Sequence, residues 1–240
     1  PVTGVGFQPD IIWVKDRDAT PNHVLFDSVR GITKSFYPNE TDAEVTDANG
    51  LTAFGADGFT VADWSQPNTS GDDYVSWNWK TGTTSGATFG SADITPTDYS
   101  INTTTGQGVY KYSGNGSSAQ TVAHALGAAP DCVMIKRIEN NGHGWQITNN
   151  TTALGFTKAL KLESNGGESA TSAWWNDTAP TSDVVNIGGD SWNNLTGKTF
   201  MMYCFRNKRG FFKTGIYTGN GLADGPFVYT GFRPAMIIRK

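Results

Sequence analysis

The chain is 240 residues long, with 17% charged residues and a formal net charge of −4. It lacks the basic footprint of a nucleic-acid binder, and no apolar stretch approaches the roughly 18 residues of a membrane-spanning helix. With 29 glycines, and eight tryptophans, eight tyrosines and 13 phenylalanines to bury, the composition excludes a disordered chain and favours short strands over helices.

In chain order, the first element is an apolar, proline-led strand, "FQPDIIWVKD" from Phe7. It returns as "APDCVMIKRI" from Ala129 and as "FRPAMIIRK" from Phe232, so the chain carries an internal repeat. The next stretch, "NHVLFDSVRG" from Asn22, aligns with "HGWQITNNTTALG" from His143. After it, "YVSWNWK" alternates Val75, Trp77 and Trp79 with Ser76 and Asn78, and lies over "FMMYCFR", with Trp77 on Tyr203 and Trp79 on Phe205. Residues 81–107 are rich in Thr, Gly and Ser and read as a linker or an ordered surface excursion. Asn115-Gly116 and Asn220-Gly221 are turn signals between strand-like runs, so each copy is expected to open as a hairpin.

These elements predict an all-β protein of tandem antiparallel β-sandwiches. The first repeat spans 1–80 and lacks its N-terminal strand; the second spans 108–206; 207–240 is the opening hairpin of a third. Because "DIIWVK" and "FMMYCF" are apolar on both faces, they are expected inside a stack of sheets. A lone hairpin is marginal in water. The last one therefore either leads into a third unit of a longer parent or docks on the incomplete first unit. Starting at Pro1 without a signal peptide, the chain reads as processed or as a segment of something longer.

The string "GFQPDIIWVKDR…HVLFDSVRG…LTAFGADGFTV…SGDDYVSWNWKTG", followed by "YSGNG…VAHALGAAPDCVMIKR…GKTFMMYCF" and "YTGNGLADGPFVYTGFRPA", resembles a repeat of tailed-phage structural proteins, common in marine phages. The resemblance covers nearly the whole chain. It implies a concanavalin-like lectin jelly roll within a tail fibre, appendage or capsid-associated fibre of the virion. It also implies contacts with other virion subunits, a homo-oligomer such as a trimer, and attachment to host-surface glycan. It carries over no catalytic residues.

The sharpest catalytic candidate is "ETDAE", with Glu40, Asp42 and Glu44. On a strand these acids would share one face, about 7 Å apart, and the pattern resembles the paired carboxylates of concanavalin-fold glucanases. Thr41 and Ala43 are too small to anchor such a strand, and the flanking residues read as turns, so a solvated acidic loop is the preferred reading. No histidine pair has metal spacing, and no metal site is assigned. The acidic pairs Asp16/Asp18 and Asp72/Asp73 leave room for one structural calcium. Cys132 and Cys204 are expected as buried thiols. Trp13, Trp77 and Trp79 fall in strand patterns and are assigned to the core. Trp64, Trp174, Trp175 and Trp192 fall in polar, loop-like settings and are the candidate sugar-stacking residues, with "AWWN" read as extended.

Overall fold

The computed structural model describes residues 1–139, 142–170 and 172–240. The first half contributes strands β1 (Val2–Thr3), β2 (Ile11–Asp16), β3 (Val24–Asp27), β4 (Lys34–Ser35), β5 (Val45–Thr46), β6 (Leu51–Gly55), β7 (Gly58–Val61) and β8 (Tyr74–Trp79), with the one-turn helix α1 (Ser65–Asn68). The second half contributes β9 (Asp98–Asn102), β10 (Gln107–Ser113), β11 (Gln120–Ala123), β12 (Cys132–Arg137), β13 (Gln146–Asn149), β14 (Lys158–Lys161) and β15 (Ser169–Ala170). The short helix α2 (Ser172–Trp175), β16 (Val184–Ile187) and β17 (Thr199–Phe205) follow. The protein is all-β, and every pairing between these strands is antiparallel.

Among the described residues four of the five sheets stack into layers around three apolar clusters, the fifth being the two-stranded β4-β5. The order is β1-β7-β6, then β3-β2-β8, then the seven-stranded β15-β14-β13-β12-β17-β10-β9, then β11-β16. Alternation along β2 sends Ile12 and Val14 outward to Phe26, Leu51 and Phe59. Ile11 and Trp13 point inward instead, to Cys132, Met134, Met201 and Tyr203 of the other half. From β12, Val133 and Ile135 face Tyr110, Tyr112, Val185 and Trp175. The two proline-led strands are apolar on both faces because each lies in a middle layer, as their sequence predicts.

The two middle sheets share one register. In the first half Ile11 pairs Trp79, Trp13 pairs Trp77 and Asp16 pairs Tyr74. At the aligned positions Cys132 pairs Phe205, Met134 pairs Tyr203 and Arg137 pairs Phe200. The strand on the other side agrees too, since Trp13 pairs Leu25 as Met134 pairs Ile147. The aspartate after the proline makes the same clamp twice. Asp10 accepts Ser28 Oγ (3.0 Å) and Thr81 N (2.8 Å), while Asp131 accepts Asn150 Nδ2 and Asn207 N (2.6 Å). The halves are not spaced apart: the same face of each middle sheet is turned to the other across one core.

Several sequence expectations are corrected. The run through Asn115-Gly116 is not a hairpin, because β10 pairs β17 and β9 whereas β11 pairs β16 in another sheet. A turn signal fixes a reversal, but burial chooses the partners: Tyr110 and Tyr112 fill the core from one side and Val122 from the other. The arch is clamped by Asn194, which accepts Asn115 N (2.9 Å) and donates to Ser117 O (2.7 Å). Gly116 has φ of 74°, and a Cβ there would strike Thr196 Oγ1. Nor do residues 207–240 form a hairpin. Among the described residues their one pairing is the Lys208–Phe212 bridge, and the arms find no sheet edge. Residues 81–107 are an ordered excursion, with β9 extending the large sheet and Ile94 bridged to Val122.

Candidate functional site

Trp13 and Trp77 are cross-strand neighbours, so their indoles lie on one face of the first middle sheet. Where that face meets the second half they line an open cavity of about 340 Å³ with His23, Pro38, Asn39 and Leu162. Residues 235–238 form its remaining wall. Trp13 Nε1 donates to His23 Nδ1 (2.9 Å), which leaves the imidazole proton on Nε2. Burial, aided by the nearby Lys15 charge, pulls the His23 pKa below its ordinary value, so the ring is neutral at pH 7. The loop below is fixed by His23 N on Asn39 Oδ1 (2.9 Å) and Asn39 Nδ2 on Asn22 Oδ1 (2.7 Å). No acidic side chain lines the cavity. Aromatic faces with one neutral N–H donor suit the stacking of an apolar ring face better than bond cleavage.

The "ETDAE" residues do something else. Residues 40–44 are irregular, so Glu40, Asp42 and Glu44 share no strand face. Their backbone bonds the other half, with Glu44 N on Ile138 O (2.9 Å) and Gly142 N on Thr41 O (3.1 Å). The Glu44 carboxylate lies 3.4 Å from Lys34 Nζ and 3.8 Å from Arg30 Nη1. Lys136, fully buried, donates to His143 O (2.5 Å); burial lowers its pKa to about 8 against the pull of Glu163 and Asp42. The acidic loop thus helps to join the halves.

A second joint lies deeper. Asp27, with no exposed side-chain surface, accepts Arg30 Nε (2.6 Å) from its own half and Tyr203 Oη (2.7 Å) from the other. Arg30 is sandwiched over the Phe36 ring at 3.9 Å and donates to Leu25 O (2.9 Å). Burial, reinforced by Asp27, pushes the Tyr203 phenol well above its ordinary pKa, so it stays a donor. These charges are paired in place, as buried charges must be.

The four predicted sugar-stacking tryptophans part ways. Trp174 and Trp175 are both buried, because α2 turns helically there instead of extending. Side chains about 100° apart can both reach the core, which the extended reading forbade. Trp64 is half-buried against Phe26 and Tyr37. Trp192 is likewise half-buried, beside Trp174, but has polar company: Lys161 Nζ lies 4.2 Å over its ring and the His143 ring lies 5.1 Å away. Asp16, Asp18, Asp72 and Asp73 come together through Asp73 N on Asp18 Oδ2 (2.5 Å) and Asp18 N on Asp16 Oδ1 (2.8 Å). Among the described residues no group of three or more His, Cys, Asp or Glu side chains is arranged to hold a metal ion. Neither the Trp13–His23–Trp77 cavity nor the Asp27–Tyr203 joint follows from a motif in the sequence. The available signal was the pairing of Trp13 with Trp77 once the two strands are set side by side.

A family model described as "Domain of unknown function (DUF7483)" matches residues 1–240. No curated protein and no solved structure matches the chain.

Proposed function

The chain belongs to the DUF7483 family, and we propose that it is a non-catalytic structural segment of a phage virion fibre, a scaffold that carries a host-surface adhesion site. In this reading its two halves are tandem copies of one concanavalin-like jelly roll, and its partners are other virion subunits, in a homo-oligomer such as a trimer. The observation that carries the reading is the duplicated register, in which two aligned middle sheets with the same aspartate clamp turn the same face to each other. Modules that pack through their repeated faces suit a stiff, extensible scaffold. The polar residues best placed for chemistry are engaged already: Asp27 holds Tyr203 across the halves, Arg30 is paired with Asp27, Glu44 with Lys34, and Lys136 donates to His143 O. Mass spectrometry of purified particles tests the proposal. The chain should be found there in fixed stoichiometry to the capsid protein, and its absence from particles would end the virion reading.

A second reading, a glycan-binding lectin-like module, is favoured by the Trp13–His23–Trp77 cavity. A glycan array should give a hit that Trp77→Ala weakens at least tenfold. A hit unaffected by that change would remove the cavity from consideration.

A further inference from the structure

In the second half, the face of the large sheet that carries Phe200 and Met202 also carries Arg137, Gln146 and Lys161. Gln146 of β13 pairs Ile135 on one side and Lys161 of β14 on the other. Arg137 stands two residues beyond Ile135, opposite Phe200, which makes it the diagonal neighbour of Gln146, about 7 to 8 Å away. Residues two apart on a strand share a face, so all three side chains leave the sheet on the same side.

Each of them is short of partners. Arg137 is 4% exposed, yet it is ion-paired with no described residue. Among the described residues its guanidinium makes one long hydrogen bond, from Nη1 to Ser191 O (3.5 Å), while Nε is buried without an acceptor. Gln146 has no exposed surface, and neither its Oε1 nor its Nε2 has a partner there. Lys161 is not ion-paired with any described residue either; its Nζ lies over the Trp192 ring. The acids just beyond these strands are turned to backbone, Glu139 to Thr199 N (3.0 Å) and Glu163 to Trp145 N (2.9 Å). Buried charges are ordinarily paired, as Asp27 pairs Arg30 in the first half. No described residue does this for Arg137. Around it the rim is half-exposed: His143, whose Nε2 lies 3.4 Å from Ser191 Oγ, then Ser191 and Trp192.

We propose that this cluster binds a carboxylate-bearing sugar unit of an acidic polysaccharide, with Arg137 and Lys161 on the carboxylate and Trp192 against the ring. The Nε and Nη2 protons of a guanidinium point the same way and match the two oxygens of a carboxylate. With Nη1 turned to Ser191 O, that edge of Arg137 is the one left to a ligand. Gln146 adds an amide donor and an acceptor, the pair of roles that a sugar hydroxyl complements. The flexible stem of Lys161 lets its ammonium group leave the indole for an opposite charge. That movement bares the Trp192 face for the apolar side of a pyranose and uncovers Gln146 directly across the strands. The inference rests neither on the virion assignment nor on the Trp13 cavity.

Calorimetric titration of the full 240-residue chain tests it, with tetragalacturonate and a hyaluronan tetrasaccharide as probes and maltotetraose as the neutral control. One acidic probe at least should bind, tenfold or more tightly than maltotetraose. Arg137→Lys keeps the charge without the fork and should weaken binding at least tenfold; Arg137→Met should abolish it. Trp77→Ala should leave it unchanged. Urea unfolding separates this role from a structural one. Arg137→Met removes a buried charge that no carboxylate pairs, so its midpoint without ligand should equal or exceed that of wild type, and the bound probe should raise the wild-type midpoint alone. Gln146→Leu supplies the same comparison should Arg137→Met not fold, with weaker binding and a midpoint no lower than wild type. Binding to neither acidic probe, equal affinity for maltotetraose, stronger binding to a sulfated dextran of matched charge, or full affinity in Arg137→Met would each overturn the proposal.

Discussion

Replacing Tyr203 by Phe removes one hydroxyl and little else, since the ring keeps its place 5.8 Å from Trp145. The lost bond is the 2.7 Å contact that crosses from the second half to Asp27 of the first. A hydrogen bond to a buried charge contributes about 1.5 to 3 kcal/mol. Asp27 keeps Arg30 Nε and the Arg30 backbone N–H (2.8 Å), so the carboxylate is left under-satisfied and not bare. A destabilisation of about 2 kcal/mol follows. Asp27→Asn should cost more, about 3 to 5 kcal/mol, because it takes the close carboxylate from the buried Arg30 guanidinium and leaves Glu44, at 3.8 Å, as the nearest remaining charge partner among the described residues. The double variant should be less destabilised than the two single costs added together, by about 1 to 2 kcal/mol, since the residues share one contact. Urea unfolding measures all three, read as a shift of midpoint at constant slope. A Tyr203→Phe midpoint within error of wild type would refute the claim that this bond joins the halves.

Three further outcomes follow from the same geometry. His124 is buried, takes the Leu126 N–H on Nδ1 (3.1 Å) and faces Thr181 O with Nε2 (3.1 Å), and burial lowers its pKa to about 4. The unfolded chain therefore binds a proton between about pH 6.5 and 4 that the folded chain refuses. Stability contributed by this site is complete above that window and falls by up to about 3 kcal/mol on acidification, so the advantage of wild type over His124→Gln should shrink from pH 7 to pH 4 in urea titrations. Asp10→Ala and Asp131→Ala each break the same clamp. Both should destabilise by about 2 to 4 kcal/mol, with the more buried Asp10 the costlier; thermal scans that find either change neutral would deny the clamp its role. Burial pushes the Cys132 thiol up to about 12 and Cys204 higher than its ordinary value, so a thiol reagent at pH 8 should modify neither in the folded chain and both in urea.

The sequence revealed strands better than it revealed their partners. "PDIIWVK" and "PDCVMIK" announce buried strands by composition alone, and their alignment anticipates the paired registers seen in both middle sheets. The Asn-Gly signals marked real reversals, yet whether the two arms pair each other depends on which sheets offer an edge, a tertiary matter. "ETDAE" has strand spacing and no strand, because its backbone N–H and C=O groups are taken by residues 138 and 142 of the other half. "AWWN" has no signal that separates period two from a helical turn, and one helical turn hides both indoles. The cavity at Trp13 and Trp77 is hidden in the sequence for a related reason. Two tryptophans in strand patterns read as core, and Trp13 is buried there with Trp77 packed against it; the cavity beside them is completed by Pro38, Leu162 and residues 235–238, which are distant in sequence.

Ile11 and Trp13 of β2 and Cys132 and Met134 of β12 lie in one core shared by the two halves, and hydrogen exchange under native conditions tests that sharing most directly. Slow amides in β2 and β12, the paired central strands, should open with free energies within about 1 kcal/mol of each other, since neither sheet can leave without baring the other. If β2 opened several kcal/mol more easily than β12, with β12 protection unchanged, the first half would be unfolding alone and the shared core would be contradicted.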